Sequence, residues 1–419
     1  MAESASCDWK LIAATISDED EKGLERLRLC FVRTHALEMI EEARAWIARL
    51  KEEMSRAVEL LGARGVLLSK EMKSFVNDPE RHLVKKLFIY SHDLVKGKMG
   101  IEEYERTALA AIRTSIKTNM RSIYESWVLL AIVNLLIEKR RPRLIYPEHG
   151  SLLLERSGRQ RSGRIPPNFV LHIPGHGAAS FFLEAPRPVS WGDTRDLARA
   201  WKLYVALRPD MLVYGGLVTD IVSPDSNPPI KRPDIVIEVK ELSDWYTRSR
   251  EVRGPFAATM TAEEWRNRWI RGLWSGLADV LGVESPEKAY EHVKKKRGLR
   301  LTEVQIVKLY ARIYKPKRLY LVSKELVPET IASELESTGV IRVVDAVGFN
   351  RERLGEISDA VASIASYEGL NGLPLFLSSR VLRILESLAT ELGVEPETVM
   401  EAAIRLAAEH RGLIRAVLR

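Results

Sequence analysis

Little in this sequence can cross-link it or tie it to a membrane. Only two cysteines, Cys7 and Cys30, occur among 419 residues. That number excludes a disulfide framework, and neither lies in a Cys-x-x-Cys or Cys/His pattern of the kind that holds zinc. Both are read as reduced thiols. No apolar run reaches the ~18 to 20 residues of a membrane span; the longest, Trp127 to Ile137, is interrupted by Asn134. The early acidic cluster Asp18-Glu19-Asp20-Glu21 is unlike a secretory leader, so a cytoplasmic protein is expected. Gly175-His176-Gly177 and Gly215-Gly216 fit turns, and no Gly-rich loop ending in lysine is present to cradle phosphates, so ATP use is not indicated. His172 and His176 have no partner in the pattern that would make them ligands or bases.

What is present is the composition of an ordinary globular protein, 46% hydrophobic and 29% charged. Its length exceeds what one core usually accommodates, so two or three domains are expected. A net charge of +7 favours polyanions without demanding one. Abundant Arg, Glu, Ile and Val with few Gln and Asn would suit a thermophile.

Residues 1–118 read as long amphipathic helices, with Leu37, Ile40, Ala43, Ile47, Leu50 and Met54 near the 3.6-residue period. Breaks fall at Asn77-Asp78-Pro79-Glu80 and at Gly97 and Gly100. This region is either a helical arm packed on the rest or a clamp for DNA or a partner. From Arg121 the texture changes. An apolar helix, Tyr124 to Ile137, is followed by strand signals at Ser151 to Leu154, Phe169 to Ile173, Ser180 to Leu183, Met211 to Tyr214 and Ile235 to Val239. Arg156, Arg159, Arg161 and Arg164 lie in a Ser/Gly-rich loop that either tracks a phosphate backbone or is a solvated turn. Interleaved Trp265, Arg266, Arg268, Trp269, Arg271 and Trp274 invite a nucleic-acid reading. Trp265, Trp269 and Leu273 share one helical face, however, which makes a core stripe the better account. A helix from Thr302 to Tyr314, a strand Arg318 to Val322, a helix Pro328 to Ser337 and a strand Val340 to Val344 complete an α/β alternation.

The chemistry concentrates in Pro233-Asp234-Ile235-Val236-Ile237-Glu238-Val239-Lys240. In an extended strand Asp234, Val236, Glu238 and Lys240 share one face and Ile235, Ile237 and Val239 the other. Ionised Glu and Lys in a buried strand need partners, and a divalent cation on carboxylates is one solution. A further aspartate arrives at Arg208-Pro209-Asp210, just before Met211-Leu212-Val213-Tyr214. Asp234 is either an outer ligand or a strand-start residue bonding backbone amides. Four residues from Glu238 at ~3.3 Å per residue, it is too distant to share one small ion with it, so Asp210 is the better ligand.

Pro209-Asp210 followed by Glu238-Val239-Lys240 resembles the signature of the PD-(D/E)XK superfamily of restriction-endonuclease-like nucleases. The Tyr124-Glu125-Ser126-Trp127 helix and Leu207-Arg208-Pro209-Asp210 look most like nuclease subunits of modification-dependent restriction systems of the McrBC type. The resemblance covers residues 119 to 347. It implies an αβββαβ core with a mixed sheet, Mg²⁺ or Mn²⁺ held by Glu125, Asp210 and Glu238, and catalysis by Asp210, Glu238 and Lys240. Gln305 and Tyr310 resemble the inward-facing Gln and Tyr of some members, although their spacing departs from Q-x-x-x-Y.

After a linker, 348–372, the segment 373–419 opens with Leu373-Pro374-Leu375-Phe376-Leu377. A Ser378-Ser379 cap follows, then a helix Arg380 to Leu392 ended by Gly393 and a second helix from Pro396-Glu397. This layout resembles ribbon-helix-helix modules, whose paired strands enter DNA. Its strand carries Pro, Phe and Leu where readout needs polar groups, so homodimerisation or a helical hairpin is expected instead of sequence reading. The whole chain is therefore expected to be a metal-dependent DNA endonuclease. The alternative is a silent nuclease fold that binds DNA or serves assembly, and RNA is a third candidate substrate.

Overall fold

A computed structural model describes residues 7–155, 164–193, 199–204, 208–223, 226, 230–252, 268–295, 299–370 and 379–410. Residues 1–370 form one compact unit and 371–419 another.

In the first unit two long helices lie against each other, α1 (Glu21–Leu61) and α2 (Ile101–Arg140). Neither contains proline, and each has a clear start or stop. Asp20 accepts a hydrogen bond from the Gly23 amide at the N-terminus of α1, and Gly62 closes it in the left-handed conformation (φ 61°). Helix α2 buries Tyr104, Ala108, Ile112, Ile116, Ile123 and Trp127 along one stripe and ends at Arg141, before Pro142. It runs without interruption across position 118, where a domain boundary was expected. Its apolar stretch is long enough to cross a membrane by composition, but 78% of that window is buried inside the protein, as in a core helix.

The central feature is a seven-stranded mixed sheet. Its strands are β1 (Arg143–Tyr146), β2 (Phe169–Ile173), β3 (Gly177–Leu183), β4 (Met211–Gly215), β5 (Ile235–Lys240), β6 (Arg318–Ser323) and β7 (Ile341–Val344). They lie side by side in chain order. The pairs from β1 to β5 are antiparallel, while β5, β6 and β7 run parallel. Parallel neighbours need crossovers, and helices α3 (Glu303–Tyr314) and α4 (Glu329–Glu336) supply them. The two faces of β5 divide as the alternation requires. Ile235, Ile237 and Val239 join the core formed with α1 and α2, whereas Val236 joins the core under α3.

Of residues 348–372, expected as linker, those up to Leu370 are instead part of this unit. Helix α5 (Gly355–Ile364) buries Ile357 and Val361. The chain beyond it bridges β3, where Ser366 and Ala178 exchange backbone hydrogen bonds of 2.7 and 3.1 Å. Gly215 exists for this approach, because a Cβ there would lie 2.0 Å from the Ile364 carbonyl oxygen. The expectation of two reduced thiols is also corrected. Cys7 and Cys30 form a disulfide with Cα atoms 5.6 Å apart, joining the start of the short helix Trp9–Thr15 to α1. Spacing could not reveal it, since the helical hairpin brings together positions 23 residues apart.

The second unit contains helices α6 (Ser379–Leu392) and α7 (Pro396–Glu409), separated by Gly393 at φ 67°. Residues 373–377, expected as a strand, lie outside the described residues.

Candidate functional site

Met211 of β4 stands opposite Ile237 of β5, which sets Asp210, one residue before β4, beside Glu238. Two hydrogen bonds hold this arrangement. The Asp210 amide donates to Glu238 Oε2 (3.3 Å), and the Val239 amide donates to Asp210 Oδ2 (2.7 Å). Glu238 and Lys240 are both buried, and Lys240 Nζ donates to Glu238 Oε1 at 2.7 Å. It also donates to Glu303 Oε2 at 2.8 Å, from the first turn of α3. Lone buried charges cost several kcal/mol each, so a lysine sharing its protons between two carboxylates is the arrangement that this strand can tolerate.

A second layer of cations surrounds these groups. Arg250 Nε lies 3.3 Å from Glu303 Oε1, and its Nη2 donates to the Tyr310 hydroxyl (3.2 Å). That hydroxyl donates to the Arg208 carbonyl oxygen (2.9 Å), while the Arg208 guanidinium pairs with Glu184. From α2, Arg121 Nε approaches Glu125 Oε1 at 3.0 Å across one helical turn. These residues line a cleft of ≈ 320 Å³. Six acidic residues (Glu125, Glu184, Asp210, Glu238, Glu241, Glu303) face six basic ones (Lys117, Arg121, Arg208, Lys240, Arg248, Arg250). Acidic and basic residues are thus equal in number, with carboxylates crowded on the floor.

The electrostatics follow from this crowding. Burial, reinforced by Glu238 and Glu125, raises Asp210 well above the ordinary aspartate range. Burial also pushes Glu125 up to about 8, with Arg121 opposing and Glu184, Glu241 and Glu238 adding to it. For Lys240, burial works against the charge, but Glu238, Glu303 and Asp210 outweigh it and hold the ammonium above its usual range. Lys240 is therefore held as a cation that donates to both carboxylates. Glu303 is lowered, because Lys240 and Arg250 overcome its burial.

Glu125, Asp210, Glu238 and Lys240, chosen from the sequence, thus all line one cleft. Among the described residues, no three His, Cys, Asp or Glu side chains converge closely enough to hold one ion as they stand. The reason is visible: Lys240 engages Glu238, the Val239 amide engages Asp210, and Arg121 covers Glu125. The donor set nevertheless suits a hard divalent cation. It consists of carboxylates from three segments, two of them, Asp210 and Glu125, raised by burial and by the charge of Glu238, a repulsion that a bound cation would relieve.

Asp234 lies elsewhere. Its Oδ2 accepts from the Gly215 amide (2.8 Å) and its Oδ1 pairs with Lys317 (2.7 Å), so it is the strand-start residue of the two roles considered. Gln305 is not a site residue either. It forms a capping box with Thr302, accepting from the Thr302 amide at 3.0 Å. Tyr310 does line the cleft. Arg156, Arg159 and Arg161 fall outside the described residues, while Arg164 is exposed and does not line the cleft. Trp265 and Arg266 also fall outside, and Trp274 is buried against Tyr290. The sequence reading missed Arg121, Glu184, Arg250 and Glu303. Only Arg121 had a local signal, its i,i+4 spacing to Glu125 on a helix. No protein-family model, curated protein or solved structure matches the chain.

Proposed function

We propose that the protein is a metal-dependent DNA endonuclease with a restriction-endonuclease-like core. The observation that carries this reading is the contact of Lys240 Nζ with Glu238 Oε1 beside Asp210, in one cleft with Glu125. The order of elements supports it: α2, the antiparallel strands β3, β4 and β5, crossover helix α3 and parallel strand β6 follow an αβββαβ plan. Glu125, Asp210 and Glu238 would hold Mg²⁺ or Mn²⁺. When bound, that ion supplies Lewis-acid polarisation of a phosphate and a more acidic water. Lys240 contributes a fixed positive charge where negative charge develops during phosphodiester hydrolysis, and Arg121, Arg208 and Arg250 orient the strand.

A specific observation favours a second reading. Glu303 also holds Lys240, at 2.8 Å, as expected of a silent nuclease fold that binds DNA without cutting it. Incubation with plasmid, linear and single-stranded DNA in Mg²⁺ and in EDTA, beside Lys240→Ala, separates the two. Cleavage only in Mg²⁺ and only with Lys240 supports the enzyme. Salt-dependent binding without turnover supports the silent fold, and competition by RNA of equal length tests the nucleic acid preferred.

We also propose a homodimer joined through α6 and α7, whose Ile384, Leu392 and Ile404 are exposed, and a cytoplasmic location where DNA is the substrate. The Cys7–Cys30 pair is unusual for that compartment except in hyperthermophiles, a setting that the composition suits.

A further inference from the structure

A second cavity, of ≈ 250 Å³, adjoins the first cleft and shares with it Thr118, Glu125, Glu184 and Asp210. Its chemistry is different. Met72, Leu129, Leu154, Leu183 and Met211 form apolar walls, Ser69, Ser122, Ser126 and Asn119 add neutral polar groups, Glu71 and Glu155 join the three shared carboxylates, and no Lys or Arg lines it. Lys117, Arg121, Arg208, Lys240, Arg248 and Arg250 line the first cleft and not this one. A phosphate is therefore repelled from this cavity by Glu71, Glu155 and Glu184, while an uncharged ring with hydrogen-bonding edges meets apolar walls and hydroxyl groups. The size is suitable, since a cavity of about 150 Å³ already takes a benzene ring.

We propose that this cavity receives the base of the nucleotide whose phosphate occupies the Asp210–Glu238–Lys240 centre, and so that the substrate is a strand with an unpaired or extruded nucleotide at that point. The inference rests on the nuclease reading for the position of the phosphate and extends it to the form of the substrate. A base inside a duplex cannot enter this pocket without leaving its stack, and a single strand pays least for that movement. The two adjoining cavities divide one nucleotide by its chemistry. The charged part lies among Arg121, Arg208 and Arg250, and the neutral part lies between Met72, Leu183 and Met211.

The test is binding of the full chain, in EDTA, to fluorescent single-stranded DNA and to a strand of equal length and charge whose nucleotides lack bases. The base-bearing strand is expected to bind about fivefold more tightly, the low end of what one buried base contributes. Ser122→Trp, which fills the cavity, is expected to erase that difference, and Ser126→Phe serves the same purpose if the first variant fails to fold. Equal affinity of the wild-type protein for the two strands overturns the proposal, as does an unchanged preference in a folded, filled variant. Cleavage assays read the nuclease proposal separately. Base preference without Mg²⁺-dependent cutting refutes the enzyme and keeps the pocket, whereas cutting without base preference refutes the pocket alone.

Discussion

The Lys240 ammonium lies 2.7 Å from Glu238 Oε1, two residues away on the same face of β5. The pleat brings the two together, and in a buried strand each offsets the other's charge, with Glu303 sharing the lysine. Lys240→Ala removes the cation nearest the carboxylate floor. DNA cleavage in Mg²⁺ is expected to fall at least about a hundredfold, the scale of losing one preorganised charge. In EDTA the variant is expected to melt below the wild-type protein, since Glu238 and Asp210 then repel without relief. Undiminished cleavage by a folded variant would exclude Lys240 from the reaction.

Glu303 competes with the site for Lys240, and Arg250 shares the same carboxylate. Its proposed part is to position the lysine, so Glu303→Gln, which keeps the shape and drops the charge, is expected to change cleavage by less than about tenfold. A hundredfold loss would instead make Glu303 a ligand and redraw the centre around it.

Much of this assembly was legible because β5 is a buried strand bearing charges, a conflict visible in eight consecutive residues. The strands β2 to β7 and helices α3 and α4 were readable for the same kind of local reason, in periodicity, caps and turn residues, whereas the strands Ser249–Val252 and Leu299–Thr302 and the helix Pro286–Lys295 were not. What escaped depends on tertiary approach. Glu303 is 63 positions from Lys240 in sequence, and nothing in its own turn announces that α3 will aim it at β5. Residues 355–364 read as connection because their helix is short, yet Leu354, Ile357 and Val361 are buried under long-range packing. Helix α2 was divided at 118 because its polar first half exposes Arg113, Lys117 and Thr118, a change of environment that looked like a change of domain.

Burial raises Glu125 from 4.5 to about 8. The folded protein then holds a proton there that the unfolded chain releases near pH 4.5, so stability is fully present below that pH and is lost as pH rises toward 8. Asp210, also raised, acts in the same direction. Urea midpoints of the metal-free protein at pH 5, 6.5 and 8 are expected to fall along that series from this contribution. Glu125→Gln is expected to lessen the fall. An identical slope in wild type and variant would show that Glu125 is already ionised at pH 5.

Tyr310 connects the outer helix to the turn that carries Asp210. Its hydroxyl donates to the Arg208 carbonyl oxygen and accepts from Arg250. Tyr310→Phe leaves that carbonyl without this donor at a cost of about 1 to 3 kcal/mol, readable as a lower urea midpoint. Because Arg208 and Asp210 flank Pro209, cleavage is expected to decline with kcat more than with KM, as loss of orientation predicts. A variant as stable and as active as the wild type would show that the Arg208–Asp210 turn is held without this bond.

Helices α6 and α7 have 14 residues each, near the length at which an isolated helix is marginal in water. Between them they bury only Ala389 and Val399 among the described apolar side chains, while Val381, Ile384 and Leu388 stand 47%, 52% and 41% exposed. These three fall at i, i+3 and i+7 and make one stripe along α6. A pair of helices that covers so little of its own apolar surface gains most from a second copy of itself, whose stripe matches by two-fold symmetry. Sedimentation of the full chain is expected to give a dimer, and Ile384→Glu, which sets a charge in the middle of the stripe, is expected to give a monomer with unchanged helix content. A wild-type protein that stays monomeric at high micromolar concentration would leave the stripe without this role.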